Sequence, residues 1–175
     1  SFVNIADETF AYNTNYPGGI DIRGQLVSIG VRAFFHCGGF TLQNYVIPET
    51  VNYLGSECFS SCTSLSGDLT IHASVSIIDS TMFSGCSGLT GSLTIGNHIV
   101  TIDQRAFDSL PFSGSLTIGN SVETIGTLAF YNTNFQGPII IPVSTTYLGI
   151  NSFRKCAHIT SVTIEADNIT IREAA

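Results

Sequence analysis

Charged residues are scarce in this sequence, and the few present are unevenly divided between the two signs. Only 11% of the 175 residues are Asp, Glu, Lys or Arg, against roughly 25% in an ordinary soluble domain. There are 13 acidic residues but six basic ones, and Lys155 is the single lysine. Phosphate binding depends on clustered Lys and Arg side chains, so a nucleic-acid partner is not expected.

Long apolar runs and the usual signatures of catalytic or metal sites are also missing. No apolar stretch approaches the roughly 18 residues of a membrane span, so this segment is not expected to insert into a membrane. The opening SFVNIADETF lacks the basic and apolar regions of a signal peptide. There is no C-x-x-C pair, no G-x-S-x-G elbow and no phosphate-binding glycine loop. We therefore expect no enzyme, no metal and no cofactor.

A repeat of 23–25 residues runs through the whole chain. The segments GSLTIGNHIVTIDQRAF, from Gly91, and GSLTIGNSVETIGTLAF, from Gly114, are near copies of each other. Aligned on the isoleucine of L-T-I, the copies share a first apolar column of Ile22, Ile47, Ile71, Ile95, Ile118, Ile141 and Ile164. Seven positions later the copies have Ile29, Leu54, Ile78, Ile102, Ile125, Leu148 and Ile171. Twelve positions after the anchor they have Phe34, Phe59, Phe83, Phe107, Phe130 and Phe153.

These columns predict copies that stack on one another. One copy has too few apolar side chains to offset the entropy of ordering its backbone. Stacked copies bury each other's columns and share a hydrogen-bonded ladder. The alternation in L-T-I favours a strand, and no segment has the length of a full helix. We predict an α/β-type repeat solenoid that is mostly β, with one short parallel strand per 23–25-residue coil and 3₁₀ or irregular returns.

The repeat divides the single domain, residues 1–175, into coils. We expect a partial repeat over 1–19, coils starting near residues 20, 45, 69, 93, 116 and 139, and a closing coil over 162–175. Because the first residues enter mid-repeat, we expect an excerpt of a longer array whose N-terminal edge self-associates. The closing coil is expected to be better capped, since it brings charge at Glu165, Asp167, Arg172 and Glu173.

The unit C-S-G-L-T-G-S-L-T-I-G-N-x-x-V-x-x-I-G-x-x-A-F resembles the BspA-like leucine-rich repeats of bacterial and protozoan surface proteins. The resemblance extends from Ile5 to about Ile171. It implies a curved, right-handed solenoid with the parallel sheet on its concave side. It also implies secretion or surface display, and a protein ligand in the host matrix or on another cell surface.

The five cysteines are interpreted as packing residues. Cys37, Cys62, Cys86 and Cys156 each follow the repeat Phe by three positions, where other copies have Asn, Leu or Thr, and Cys58 replaces an alanine. Because Leu and Thr take the place of cysteine in other copies, this position is interpreted as a small site in the core and not as a metal-ligand position. We therefore predict five free thiols, and the alternative is a disulfide between neighbouring coils.

The outward-facing strand positions form the candidate protein-binding face. Its polar members are Asp21, Arg23, Thr70, His72, Thr94, Thr117, Thr163 and Glu165. A second face has Tyr53 and Tyr147, a residue type favoured at interfaces. We expect a non-catalytic binding or display module, and the alternative is a purely structural spacer. The two differ in whether any face presents a ligand-sized patch that breaks the repeat.

Overall fold

The computed structural model describes residues 1–15, 18–39 and 42–172, in which the chain winds as a parallel β-solenoid without a helix. We number the coils 1 to 6 from their starts near residues 20, 45, 69, 93, 116 and 139, and coil 7 begins near residue 162. The strands, in chain order, are β1 Phe2–Ile5, β2 Gln25–Ile29, β3 Leu42–Ile47, β4 Tyr53–Leu54, β5 Leu65–Ile71, β6 Ile77–Ile78, β7 Leu93–Ile95, β8 Thr101–Ile102, β9 Leu116–Thr117, β10 Thr124–Ile125, β11 Gly137–Ile141, β12 Tyr147–Leu148, β13 Ile159–Ile164 and β14 Thr170–Ile171.

The front sheet consists of the predicted L-T-I strands. Strands β3, β5, β7 and β9 pair in that order, all parallel, and β11 pairs with β13. Leu69, Leu93 and Leu116 are in register and point into the core, as the alternation predicts. The prediction of a stacked parallel solenoid is confirmed.

A second row of strands, the return sheet, adds to the predicted strand of each coil. It pairs β1, β2 and β4 in one piece and β6, β8, β10, β12 and β14 in another. Most of these strands are two residues long and end on the second apolar column. Two residues are too few to show the alternation that identifies a strand in a sequence.

The phenylalanine column forms the third side, which we call the turn face. From Phe10 to Phe153 the rings of successive coils stack at centroid distances of 5.1–5.7 Å. The segment is a series of hydrogen-bonded turns instead of a 3₁₀ helix, because the residue two before Phe adopts positive φ in most coils, as at Arg32 (53°) and Leu128 (59°). Along the turn, N–H groups alternate between two kinds of acceptor. Phe34 donates to the Cys58 carbonyl of the next coil at 2.8 Å, and Phe35 donates within its own turn to the Arg32 carbonyl at 3.0 Å.

The first and last coils differ from the expectations. Ile22 and its neighbours form no strand, and the front sheet begins only at β3. In coil 7 the inward columns are open, with Val162 51%, Ile164 41% and Ile171 53% exposed, whereas Ile5 near the start is 7% exposed. Phe2 in β1 is 75% exposed as well, so the expectation that the closing coil is the better-capped end stays a prediction. Glu173 lies outside the described residues.

Candidate functional site

A ladder of polar side chains runs along the front sheet, three residues before the anchor isoleucine. Asn44 Oδ1 accepts the Asp68 N–H at 2.9 Å, and Asp68 Oδ1 accepts the Ser92 N–H at 2.7 Å. Ser92 Oγ then accepts the Ser115 N–H at 3.0 Å. Each side-chain oxygen thus accepts a hydrogen bond from the main-chain N–H at the same repeat position of the following coil.

Two prolines end this regularity between coils 5 and 6. Pro138 follows Ser115 in the ladder and has no N–H to donate. Pro142 follows the anchor of coil 6, where Gly96 and Glu165 donate to the preceding coil at 2.8 and 2.9 Å. The Ile118 carbonyl therefore lacks this donor. Strands β9 and β11 form no ladder, and we call this interruption of the front sheet the seam.

A surface depression of ≈ 540 Å³, the seam pocket, lies at the seam. It is lined by Ser115, Leu116, Thr117, Ile118, Asn120, Gln136, Pro138, Ile140 and Glu165. Ile140 is 52% exposed and forms an apolar wall. Glu165 is the one ionised group of the lining, and within the described chain its carboxylate makes no ion pair or side-chain hydrogen bond.

The structure brings only some of the predicted face residues together. Thr70, Thr94 and Thr117 stand in register across β5, β7 and β9. Thr163 is aligned with Ile140 in the other part of the front sheet, and Glu165 reaches the seam pocket.

Of the eight predicted residues, only Thr117 and Glu165 line the seam pocket. Asp21 and Arg23 lie outside any strand and form an exposed ion pair of 2.8 Å, since the strand expected around Ile22 is absent. His72 is exposed beyond the end of β5. These three residues do not line the seam pocket.

A second depression, of ≈ 560 Å³, lies on the turn face between coils 3 and 4. It is lined by Ser80, Thr81, Ser84, Asp103, Gln104, Arg105 and Asp108. Its charges are largely satisfied internally, because Arg105 pairs with Asp108 at 3.0 Å and Asp103 accepts the Gln104 N–H at 2.7 Å. Asp79 and Asp103 share a repeat position, but this cleft offers less unpaired charge than the seam pocket.

The cysteines and the other ionisable groups give no sign of a reactive centre. Cys37, Cys58, Cys62 and Cys86 are buried free thiols, and Cys156 is half-buried. Burial raises the pKa of Cys86 to about 12 and also raises the pKa of Cys58, so these thiols stay protonated and unreactive. Within the described ranges, no three His, Cys, Asp or Glu side chains are grouped to hold a metal, and no helix could cross a membrane.

Comparison with known proteins identifies the repeat. A family model described as a BspA type leucine rich repeat region matches in six copies, over residues 3–135 and 66–175. The chain belongs to the BspA-type leucine-rich-repeat family. Leucine-rich repeats of this family generally mediate protein interactions and are generally non-catalytic. No curated protein matches this BspA-type chain in sequence.

Two solved structures share the BspA-type chain's fold. A leucine-rich repeat protein from Bacteroides ovatus, 23% identical, superposes with a TM-score of 0.67 over 99% of this chain and 51% of its own. A leucine rich cell surface protein from Faecalibacterium prausnitzii, 26% identical, superposes with a TM-score of 0.54 over 87% of this chain and 48% of its own. The BspA-type chain thus spans about half the length of the structures it matches.

Thr117 and Glu165 are among the predicted face residues and line the seam pocket, but the sequence analysis did not predict the pocket itself. Pro138, Ile140 and Gln136 were not among the predicted site residues. A signal for the seam was present in the sequence, because Pro142 occupies a column whose main-chain N–H joins neighbouring coils. The missing donor becomes visible only once the ladder's register is known.

Proposed function

We propose that this protein is a non-catalytic binding module of a secreted or cell-surface protein, and that it binds a protein ligand through the front sheet. The observation on which this depends is the seam pocket, which is ligand-sized and interrupts the repeat. A purely structural spacer needs only coils that stack, whereas the seam interrupts the strand ladder between β9 and β11 and leaves Ile140 half exposed. Such local irregularity favours recognition over spacing.

The proposed ligand is a protein of the host matrix or of another cell surface. The family's general role in protein interactions supports this choice, and so does the similarity to a cell surface protein of Faecalibacterium prausnitzii. The acidic chain, with a formal net charge of −7 at pH 7, favours ligands with basic surfaces.

A matched pair of variants tests the binding face. Ile140 and Ile77 are 52% and 53% exposed on the front and return sheets, so Ile140→Arg and Ile77→Arg change charge and bulk equally. Binding is measured by surface plasmon resonance to purified extracellular-matrix proteins and bacterial surface proteins. We expect at least one ligand, for which Ile140→Arg weakens binding about tenfold or more while Ile77→Arg does not.

Two results would contradict the proposal. Absence of binding to every immobilised protein would favour the structural spacer. Equal losses in the two variants would place binding elsewhere than on the front sheet.

A further inference from the structure

We propose that the seam pocket binds an arginine side chain of the partner polypeptide. This inference rests on the proposed function in taking the front sheet as the binding face, and it specifies the chemistry that the face recognises. The argument depends on three features of the pocket: its charge, its unpaired acceptors and its apolar wall.

The charge of the pocket selects a cation. Glu165 is the one ionised residue of the lining, and its carboxylate has no ion-pair partner among the described residues. The net charge of −7 adds a long-range attraction for basic ligands. A carboxylate at the edge of a depression attracts a Lys or Arg side chain and repels an acidic one.

The unpaired acceptors select a guanidinium group over an ammonium group. Pro142 supplies no N–H to the Ile118 carbonyl, so this main-chain acceptor at the pocket is left without its usual donor. Asn120 and Gln136 add amide oxygens, and Thr117 adds a hydroxyl. Arginine has five N–H donors in a planar fork and can bond a carboxylate with two of them while the others reach further acceptors.

The apolar wall suits the stem of the same side chain. Ile140, which is 52% exposed, and Pro138 flank the depression, and three methylene groups of an arginine can pack against them. The volume of ≈ 540 Å³ is sufficient for one such side chain with accompanying water. The turn-face cleft lacks this combination of an unpaired carboxylate and an apolar wall, because its Asp108 already forms an ion pair of 3.0 Å with Arg105.

The test uses three small probes on the intact chain: the N-acetyl, N′-methylamide derivatives of arginine, lysine and citrulline. Citrulline keeps the shape of arginine but has no charge. Each probe is titrated while amide resonances are followed by ¹⁵N–¹H NMR. We expect arginine to shift the Thr117, Ile118 and Ile140 amides and to bind about tenfold more tightly than citrulline, with lysine between them.

Variants assign the charge to one carboxylate. Glu165→Gln should reduce arginine binding about tenfold, to the level of citrulline. Glu123→Gln, an exposed carboxylate on the return side, should leave binding unchanged. Equal binding of arginine and citrulline to the unaltered chain, or no effect of Glu165→Gln, would overturn the inference. Shifts confined to the turn-face cleft around Arg105 would do the same.

The two proposals fail in different ways. If Ile140→Arg abolishes binding of a protein ligand but the arginine probe does not bind, the front sheet is the binding face and the arginine inference is wrong. If the arginine probe binds at the seam but Ile140→Arg and Ile77→Arg bind every protein ligand alike, the seam pocket does bind arginine. The proposed function, protein binding through the front sheet, is then wrong.

Discussion

At the scale of single residues, the aromatic column contributes most of the specific packing. Phe107 is fully buried, and its ring stacks between those of Phe83 and Phe130 at 5.7 and 5.5 Å. Thr94, by contrast, is partly exposed on the outer side of the front sheet, in register with Thr70 and Thr117. Positions within the same repeat therefore contribute very differently to the free energy of unfolding.

We expect Phe107→Ala to lower the free energy of unfolding by about 3–5 kcal/mol, because a cavity replaces a buried ring. Thr94→Ala should cost less than about 1 kcal/mol. Both values come from urea unfolding followed by far-UV circular dichroism. Small and equal losses in the two variants would show that the phenylalanine column is not the core.

Buried thiols and the half-buried phenol of Tyr45 make the protein sensitive to alkaline pH. Burial raises the pKa of Cys86 from 9.0 to about 12 and that of Tyr45 from 10.0 to about 12. Between the unfolded and folded pKa values, the folded chain keeps a proton that the unfolded chain has lost. Folding stability contributed by these groups is therefore complete below the unfolded pKa and is lost as pH rises toward 12.

We predict that the free energy of unfolding falls as pH rises, by about 1.4 kcal/mol per pH unit above pH 9.0 for Cys86 and above pH 10.0 for Tyr45. Urea unfolding at pH 8, 10 and 11 measures this. Cys86→Ala should make the dependence shallower. A stability that stays constant from pH 8 to pH 11 would contradict the raised pKa values of these groups.

The thiols provide a separate chemical check. Titration of the unfolded protein without reductant should count five free thiols, and the folded protein should react slowly because four of them are buried. A count of three or one in the unfolded protein would instead demonstrate one or two disulfides between coils.

At the scale of elements, one local turn interrupts the turn face. Asp79 Oδ1 accepts both the N–H and the hydroxyl of Thr81, at 2.8 and 2.7 Å. This side-chain turn competes with the main-chain ladder. At the same repeat position Arg32, Arg105 and Leu128 donate their N–H to the next coil, and Arg105 donates to the Thr127 carbonyl at 3.0 Å. In the described chain, the Phe83 and Gly85 amides have no such partner in coil 4.

Hydrogen exchange should detect this interruption. We expect the Phe83 and Gly85 amides to exchange at least about tenfold faster than those of Phe107 and Ser109, which occupy the same repeat positions and are bonded to coil 5. NMR-detected exchange at neutral pH compares the four amides directly. Equal protection of both pairs would mean that the ladder is continuous in solution.

The elements also show how far the sequence could be interpreted. The invariant spacing from Ile95 to Phe107 and from Ile118 to Phe130 is sufficient to predict stacked coils with a phenylalanine core. The strand expected around Ile22 does not form, since Asp21 is poorly suited to a strand and pairs with Arg23 instead. The seam could not be predicted because it depends on which carbonyl faces Pro142, and that register exists only in the stacked structure.

At the scale of the whole molecule, the three faces are interrupted at different places. The return sheet breaks between β4 and β6, the turn face between coils 3 and 4, and the front sheet between β9 and β11. No pair of neighbouring coils loses its front and turn-face pairing together. The uninterrupted apolar core and the remaining ladders therefore join all the coils across each break.

We accordingly predict that the array unfolds in one cooperative step. Urea curves from far-UV circular dichroism and from tyrosine fluorescence should coincide within experimental error. Two separated transitions would show that one of the interruptions divides the array into units that unfold independently.

The prolines at the seam also affect the order in which the chain can assemble. A solenoid grows by templating, since each completed coil offers the next a row of donors and acceptors. At Pro142 this copying fails on the front side, so structure propagating from coil 5 passes to coil 6 through the other two sides: the pairing of β10 with β12, and the turn face, where Leu128 and Phe130 donate to the Ile150 and Ser152 carbonyls at 3.0 and 2.8 Å. The return-sheet pairs and the stacking of Phe130 on Phe153 thus carry the growing structure past the seam.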